Sequence, residues 1–484
     1  MAELQIPDKQ RVLILQGGGA LGAYEAGAFK ALSEEIPKID AKNGEANRPL
    51  FDIIAGTSIG AINAAILVNY FKENNRGWDD GAFQKIRNFW EYISSDDDAN
   101  RDVDFRIRWW KEEHKNDPNA ASPEAARRYY SAEYFLQNGA KRSFSEPSLI
   151  LDDKFFDNSV SIPNNLWIRY SNERLKESIT QFAKFPIATE IGEPRLLVVS
   201  ADVGDGAIVT FDSYSKESEY GRHNKNFDKF LKRVIKYNKG IELSHVMASA
   251  SIPLFYNYEE IQGEKFWDGS VLSNTPLREV LQAHRDYWFK KIGRSKPESK
   301  VPALEVYIIG VWPSSSDNAG QDQQQQEYVP SDYDGMKAKL YDIGLSDKTE
   351  YDEKTATIVS DYIEIIKQIR ALALKNIKNQ EEKDAFTKDL DDFLNKEVAQ
   401  SKGRDGGDRT YSSLLYGRFK LRGEVVRIER KEDPDDISNR AFDLTKKTIE
   451  NLIAQGEKDA KDVLKKILLR EKNDDKRKLK HSIA

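Results

Sequence analysis

The segment Phe51–Phe71, FDIIAGTSIGAINAAILVNYF, decides how the rest of the chain is read. It opens with an apolar run, Phe51–Ala55, turns through Gly56-Thr57-Ser58-Ile59-Gly60, and continues as apolar, helix-forming residues to Phe71. That order predicts a buried strand, a sharp turn and a core-facing helix. The turn matches G-x-S-x-G, the nucleophile elbow. Gly56 and Gly60 allow the tight backbone that lifts Ser58 clear of the chain, and the new helix aims its free N–H groups and positive dipole end at charge developing there. The same five residues also suit a plain strand-to-helix junction with Thr57 or Ser58 as the N-cap.

Upstream, Arg11–Leu15 (RVLIL) reads as a short buried strand running into Gln16-Gly17-Gly18-Gly19-Ala20-Leu21-Gly22, with a helix from Ala23. Two chemistries fit this loop. Gly17-x-Gly19-x-x-Gly22 satisfies the dinucleotide fingerprint, with Asp40 roughly where a ribose-binding acid belongs, as in a nucleotide-binding oxidoreductase. Alternatively, the loop presents backbone N–H donors to an oxyanion. The neighbouring serine elbow favours the second, because nucleotide binding gives the elbow no role.

Further along, Asp79–Ile93 spaces Phe83, Ile86, Phe89, Trp90 and Ile93 as one helix face. Residues 94–165 mix acids with aromatics (Trp109, Trp110, Tyr129, Tyr130, Phe135, Phe155, Phe156) and read as a loop-and-helix insertion, whose aromatics either line an acyl pocket or, for most of them, seal it onto the body. Leu175–Phe185 reads as a short amphipathic helix. Arg195–Asp202 is a buried strand entering a hairpin at Gly204-Asp205-Gly206. Val246–Phe255 (VMASASIPLF) suits a helix ending at Pro253. Asp268-Gly269-Ser270 is a turn after an aromatic strand, with a helix start at Thr275-Pro276. Leu304–Val311 is another buried strand. Strands alternating with helices predict a three-layer α/β/α fold with a mostly parallel central sheet, ligands sitting at the carboxyl ends of the strands.

The order GGGALG, GTSIG, DGS resembles the patatin-like phospholipase family. ASASIPLFY resembles that family's small-residue helix, DGSVLSNTPLREVL its aspartate segment, and AFDLTKKTIENLIAQGEKDA its closing helix. The resemblance implies a serine–aspartate dyad without histidine: Ser58 as nucleophile, Asp268 as base, and Gly17, Gly18, Gly19 and Gly22 as the oxyanion loop. It implies a serine acyl hydrolase of lipase or phospholipase type, cleaving lipid carboxylic esters through an acyl-enzyme, without a cofactor. Leu21 stands where plant patatins carry arginine, and Ser270 where the family usually has glycine or alanine. A non-catalytic lipid-binding protein on the same fold is the remaining alternative.

Composition narrows the field. The chain has 484 residues, no cysteine and a formal net charge of −6. Disulfides, thiolate catalysis and cysteine-ligated metals are excluded, and no basic footprint for nucleic acid exists. The five histidines, His114, His223, His245, His284 and His481, show no ligand spacing; His245 or His284 could complete a triad. No apolar run reaches the ~20 residues that span a bilayer, and the N-terminus lacks a signal-type core. A soluble, cytoplasmic protein touching membrane only peripherally is expected. The acyl hydrolase core is expected over 10–312 and a mainly helical extension over 330–484. In the extension, Pro313–Asp334 reads as a linker. Tyr351–Leu374 reads as a helix spacing Ile358, Tyr362, Ile365, Ile366 and Ile369, and Glu381–Val398 as a charged helix. Ser401–Arg409 is a glycine-rich turn and Leu414–Glu429 two strands. Ile437–Leu469 reads as a helical region interrupted near Gly456, followed by a frayed tail. These elements are expected to pack on the core and are candidates to cover the cleft.

Overall fold

A computed structural model describes residues 6–74, 77–118, 120–151, 166–214, 235–237, 240–292, 301–313, 330, 332–396, 411, 421, 425–431, 433 and 435–483. The strands are β1 (Lys9–Leu15), β2 (Ile53–Thr57), β3 (Ser148–Leu151), β4 (Leu166–Arg169), β5 (Arg195–Asp202), β6 (Ala207–Asp212), β7 (Ile235–Tyr237), β8 (Glu259–Ile261), β9 (Glu264–Asp268), β10 (Ala303–Gly310) and β11 (Val426–Glu429). The helices are α1 (Ala23–Lys42), α2 (Ile59–Glu73), α3 (Asp80–Ser94), α4 (Asp97–Glu113), α5 (Pro123–Asn138), α6 (Glu173–Phe182), α7 (Leu243–Ser249), α8 (Leu277–Ile292), α9 (Tyr333–Leu345), α10 (Glu350–Asn376), α11 (Gln380–Leu394) and α12 (Lys446–Ile483).

Nine strands form the main sheet, in the order β11-β10-β1-β2-β5-β6-β7, with β9 on β5 and β8 on β9. From β11 to β5 every pairing is parallel. Parallel strands need cover on both faces, and the side chains alternate accordingly. Leu13, Leu15, Ile54, Leu196 and Val198 share one core with α1, α2, α3 and α12. Val12, Ile14, Ile53, Ala55 and Leu197 share the other with α8. These are the three layers the sequence predicts.

The hairpin of β5 with β6 forms as expected. Helix α7 stops at Ser249, short of Pro253, because Ile252 precedes a proline and proline disfavours helical backbone in the residue before it. Strand β11 joins β10 in parallel at the sheet edge; the strand expected before it lies outside the described residues, as do Phe155, Phe156, the glutamine run and the turn over 401–409.

Two expectations in the extension change. The closing helix α12 runs unbroken through Gly456 to Ile483. A Cβ on Gly456 would meet the Tyr24 carbonyl oxygen at 2.0 Å, and one on Gly27 would meet that of Ile453 at 1.8 Å. Gly456 therefore serves the contact between α1 and α12 and does not break the helix. Helix α10 forms where its spacing predicts, but Ile358, Tyr362, Ile365, Ile366 and Ile369 are 44–63% exposed. Only Ala356, near its N-terminal end, is buried.

Within the insertion, Phe135 and Phe144 are buried and seal it to the core, whereas Trp109 is exposed. Among the described residues no helix is long and apolar enough to cross a membrane.

Candidate active site

Strand β5 organises the site. One of its edges pairs with β2 up to Thr57, opposite Val199. The next residue, Ser200, pairs with Asp268 of β9. Because β6 occupies the other edge over Leu197–Asp202, β9 takes over the β2 edge where β2 stops. Ser58, one residue beyond Thr57, therefore emerges beside Asp268, although 210 residues separate them (268 − 58).

Ser58 has φ +57° and ψ −125°, a conformation that L-residues adopt at a cost of about 1–3 kcal/mol. Three contacts hold it there. The Ser58 N–H donates to Ser249 Oγ at 2.9 Å. Ser249 Oγ in turn donates to the Val199 carbonyl at 2.5 Å. The Ser58 carbonyl accepts from Ala61 and Ile62 at the start of α2. Gly60 allows the sharp return, since a Cβ there would lie 2.4 Å from the Leu15 carbonyl oxygen.

Asp268 is fully buried. Its N–H donates to the Ser251 carbonyl at 2.9 Å, and its Oδ1 accepts from the Ser270 N–H at 2.8 Å. Residues 249–251 thus grip both Ser58 and Asp268. Burial raises the Asp268 carboxyl to about 6, against the opposing pull of Ser58 and of the backbone and hydroxyl of Ser270. Its Oδ2 has no hydrogen bond of standard geometry among the described residues. Ser270, the departure from the family pattern, thus takes part in the environment of Asp268.

The glycine loop runs alongside. A Cβ on Gly17 would sit 2.9 Å from Ser58 Cβ, so the loop and Ser58 touch. The Gly17 carbonyl is pinned by Asn274 Nδ2 at 3.1 Å and Trp312 Nε1 at 2.6 Å. In a trans peptide the next N–H points the opposite way, so these bonds fix the direction of the Gly18 N–H. The N–H groups of Gly17, Gly18 and Gly19 donate to no acceptor among the described residues. Gln16 anchors the loop's start, accepting from Val311 N–H at 2.7 Å and donating to Thr275 at 2.9 Å. Gly22 closes it against Ile59. Its carbonyl accepts from Asn63 Nδ2, which also donates to Glu25. Glu25 is fully buried and its carboxyl is pushed well above the ordinary range by desolvation.

The rival assignments do not gather here. Asp40 forms a buried bidentate pair with Arg11 at 2.7 and 3.0 Å. Arg11 sits near the start of β1, roughly 16 Å of strand from the glycine loop. Asp40 is therefore a structural partner and offers nothing to a nucleotide at the loop. His245 Nδ1 accepts from Glu242 N–H and caps α7. His284 lies in α8, on the sheet face opposite α2, where burial holds its imidazole down at about 3.

A cavity of about 80 Å³ opens onto Ser58 and Gly19, walled by Ile62, Trp90, Phe144, Tyr256, Phe442 and Leu444. Sequence reasoning missed Ser249, Asn274 and Trp312, and although it offered the C-terminal elements as a cover for the cleft it did not single out Phe442 or Leu444. The ASAS run signalled only a close-packed helix.

A mostly parallel sheet between two helical layers, with a G-x-S-x-G turn at the carboxyl end of an inner strand, is an architecture that serine hydrolases use. The profile of the patatin-like phospholipase family matches residues 13–281, more than half the chain, and the chain belongs to that family. It is a carboxylic ester hydrolase acting on lipid esters. No curated protein matches it significantly. Among solved structures it is similar to VipD from Legionella pneumophila, at 12% identity over 95% of this chain and 67% of that one, with a TM-score of 0.31.

Proposed function

We propose that the chain cleaves lipid acyl esters through a Ser58–Asp268 dyad, with the glycine loop as oxyanion hole. The observation that carries this reading is the handover on β5, which sets Thr57 and Asp268 against consecutive residues of one strand edge. As Ser58 Oγ bonds to the ester carbonyl carbon, its proton passes to the Asp268 carboxylate. The carbonyl oxygen becomes an oxyanion, received by the N–H groups of Gly17, Gly18 and Gly19. One such donor is worth about 3–4 kcal/mol. Collapse breaks the bond to the leaving alcohol, which takes the proton from Asp268. Water then attacks the acyl-enzyme, giving its proton to Asp268 and releasing the acid, and Ser58 recovers its hydrogen.

An isolated aspartate, with a pKa of about 3.9, is a feeble base for a hydroxyl. Burial supplies part of the missing basicity by raising the Asp268 carboxyl to about 6. The N-terminus of α2 adds stabilisation for negative charge at Ser58. Replacement of Ser58 by alanine tests the assignment. Hydrolysis of p-nitrophenyl esters should fall to background with the circular dichroism spectrum unchanged, and a fluorophosphonate should label wild-type Ser58 alone. Retained turnover in the variant would refute the nucleophile.

A further inference from the structure

One side of the cavity beside Ser58 comes from outside the matched family region. Ala441, Phe442 and Leu444 line it together with Ser58 and Gly19, whereas the family profile ends at residue 281. The segment lies directly on the glycine loop, because a Cβ on Gly19 would fall 2.5 Å from the Ala441 carbonyl oxygen. Phe442 meets Phe255 at 5.1 Å and Phe144 at 6.1 Å between ring centroids.

Both flanks of the segment are tied down. The Arg440 guanidinium stacks over Trp312 at 4.8 Å and pairs with Asp342 and Asp436. Asp443 is buried and accepts from Ser131, from Thr445 Oγ1 at 2.7 Å and from Thr448 Oγ1 at 2.6 Å. A buried charge held by this many partners is costly to pull out. The segment is therefore anchored on both flanks against the glycine loop.

We propose that residues 441–444, with Phe442 foremost, gauge acyl-chain length, restricting the enzyme to short acyl groups. This rests on Ser58 being the nucleophile, since the cavity is an acyl pocket only if the acyl group is attached there. The cavity's volume of about 80 Å³ is roughly half that of the 150 Å³ apolar cavity that admits a benzene ring. It has room for about three or four carbons beyond the carbonyl.

The test measures kcat/KM on p-nitrophenyl esters from acetyl to dodecanoyl. In the wild type each added methylene should raise kcat/KM about fourfold while the chain still fits, and the rise should end by about hexanoyl. Phe442→Leu, which trims the ring without emptying the site, should move the break to longer chains and raise the decanoyl-to-butyryl ratio at least tenfold. Phe442→Trp should lower the same ratio. Opposite shifts in two variants are not what general damage to the fold produces. Identical profiles in all three proteins, or a wild type that still gains at dodecanoyl, would overturn the inference while leaving the dyad standing. A wild type that hydrolyses no ester and takes no fluorophosphonate would overturn the dyad and the gauge together.

Discussion

Replacing Asp268 with asparagine should abolish ester turnover and, at alkaline pH, make the folded chain more stable. Burial holds the Asp268 carboxyl at about 6, up from 3.8. That rise corresponds to roughly 3 kcal/mol of preference for the protonated form in the fold. The sign follows from proton binding. Between pH 3.8 and about 6 the native state holds a proton that the unfolded chain has released. The favourable contribution is complete below 3.8 and is lost as pH rises through about 6. At pH 8 the wild type therefore buries an ionised carboxylate at the full cost of about 3 kcal/mol. Asparagine carries no charge, and its carbonyl can still accept from the Ser270 N–H that now bonds Oδ1. The assay is urea unfolding of both proteins from pH 8 to pH 4. Every other titrating group is common to the two, so their difference isolates Asp268. The variant should be the more stable at pH 8, by up to about 3 kcal/mol, and the gap should shrink towards pH 4. A variant less stable than wild type at pH 8, or a gap that does not change with pH, would refute the idea that the base is tuned by burial.

Three further outcomes are expected. The kcat/KM for ester hydrolysis should fall about tenfold per pH unit below about 6, as Asp268 takes up its proton; a profile flat to pH 5 would exclude it as the base. Ser249→Ala removes the acceptor of the Ser58 N–H and the donor to the Val199 carbonyl. It should cost about 1–3 kcal/mol of stability and lower kcat more than it raises KM, measured by steady-state kinetics; a change in KM alone would count against a role in holding the elbow. Gly456→Ala places a Cβ 2.0 Å from the Tyr24 carbonyl oxygen, and overpacking of this kind costs about 1–3 kcal/mol or more. A lowered melting temperature is expected, and an unchanged one would mean that α12 is not seated on α1 through this glycine.

What the sequence made legible was the local chemistry. A run of apolar residues, two glycines and a serine are enough to announce the elbow at Ser58, because turn geometry depends on neighbours in sequence. The glycine loop is legible in the same way, though its alternative as a nucleotide site is removed only by seeing Asp40 held by Arg11. Spacing along a chain cannot say which way a carboxylate faces. Asp268 lies in a tripeptide that by itself signals a turn, and only resemblance singled it out. The long-range partners were invisible. Ser249, Asn274, Trp312 and Phe442 come from separate segments and acquire their roles through packing. The periodicity of α10 gave the helix but not its surroundings, since an apolar stripe reports a face and not what covers it. Gly456 was misread because glycine breaks helices and also permits close helix contacts, and only the position of α1 distinguishes the two.

The site also shows how two residues far apart in sequence can be held side by side without a rigid local motif. Ser58 and Asp268 are set mainly by backbone pairing: β2 and β9 share one edge of β5, and the ladder fixes the main chain of residues 57 and 268. The end of helix α7 and the turn after it then act on both at once, through the Ser249 hydroxyl on Ser58 and the Ser251 carbonyl on the Asp268 N–H. The strained Ser58 backbone is sustained by these bonds, so its conformation depends on the same turn that holds Asp268. Destabilising the seat of α7 should then reduce turnover before it unfolds the sheet, because the ladder survives where the strain does not.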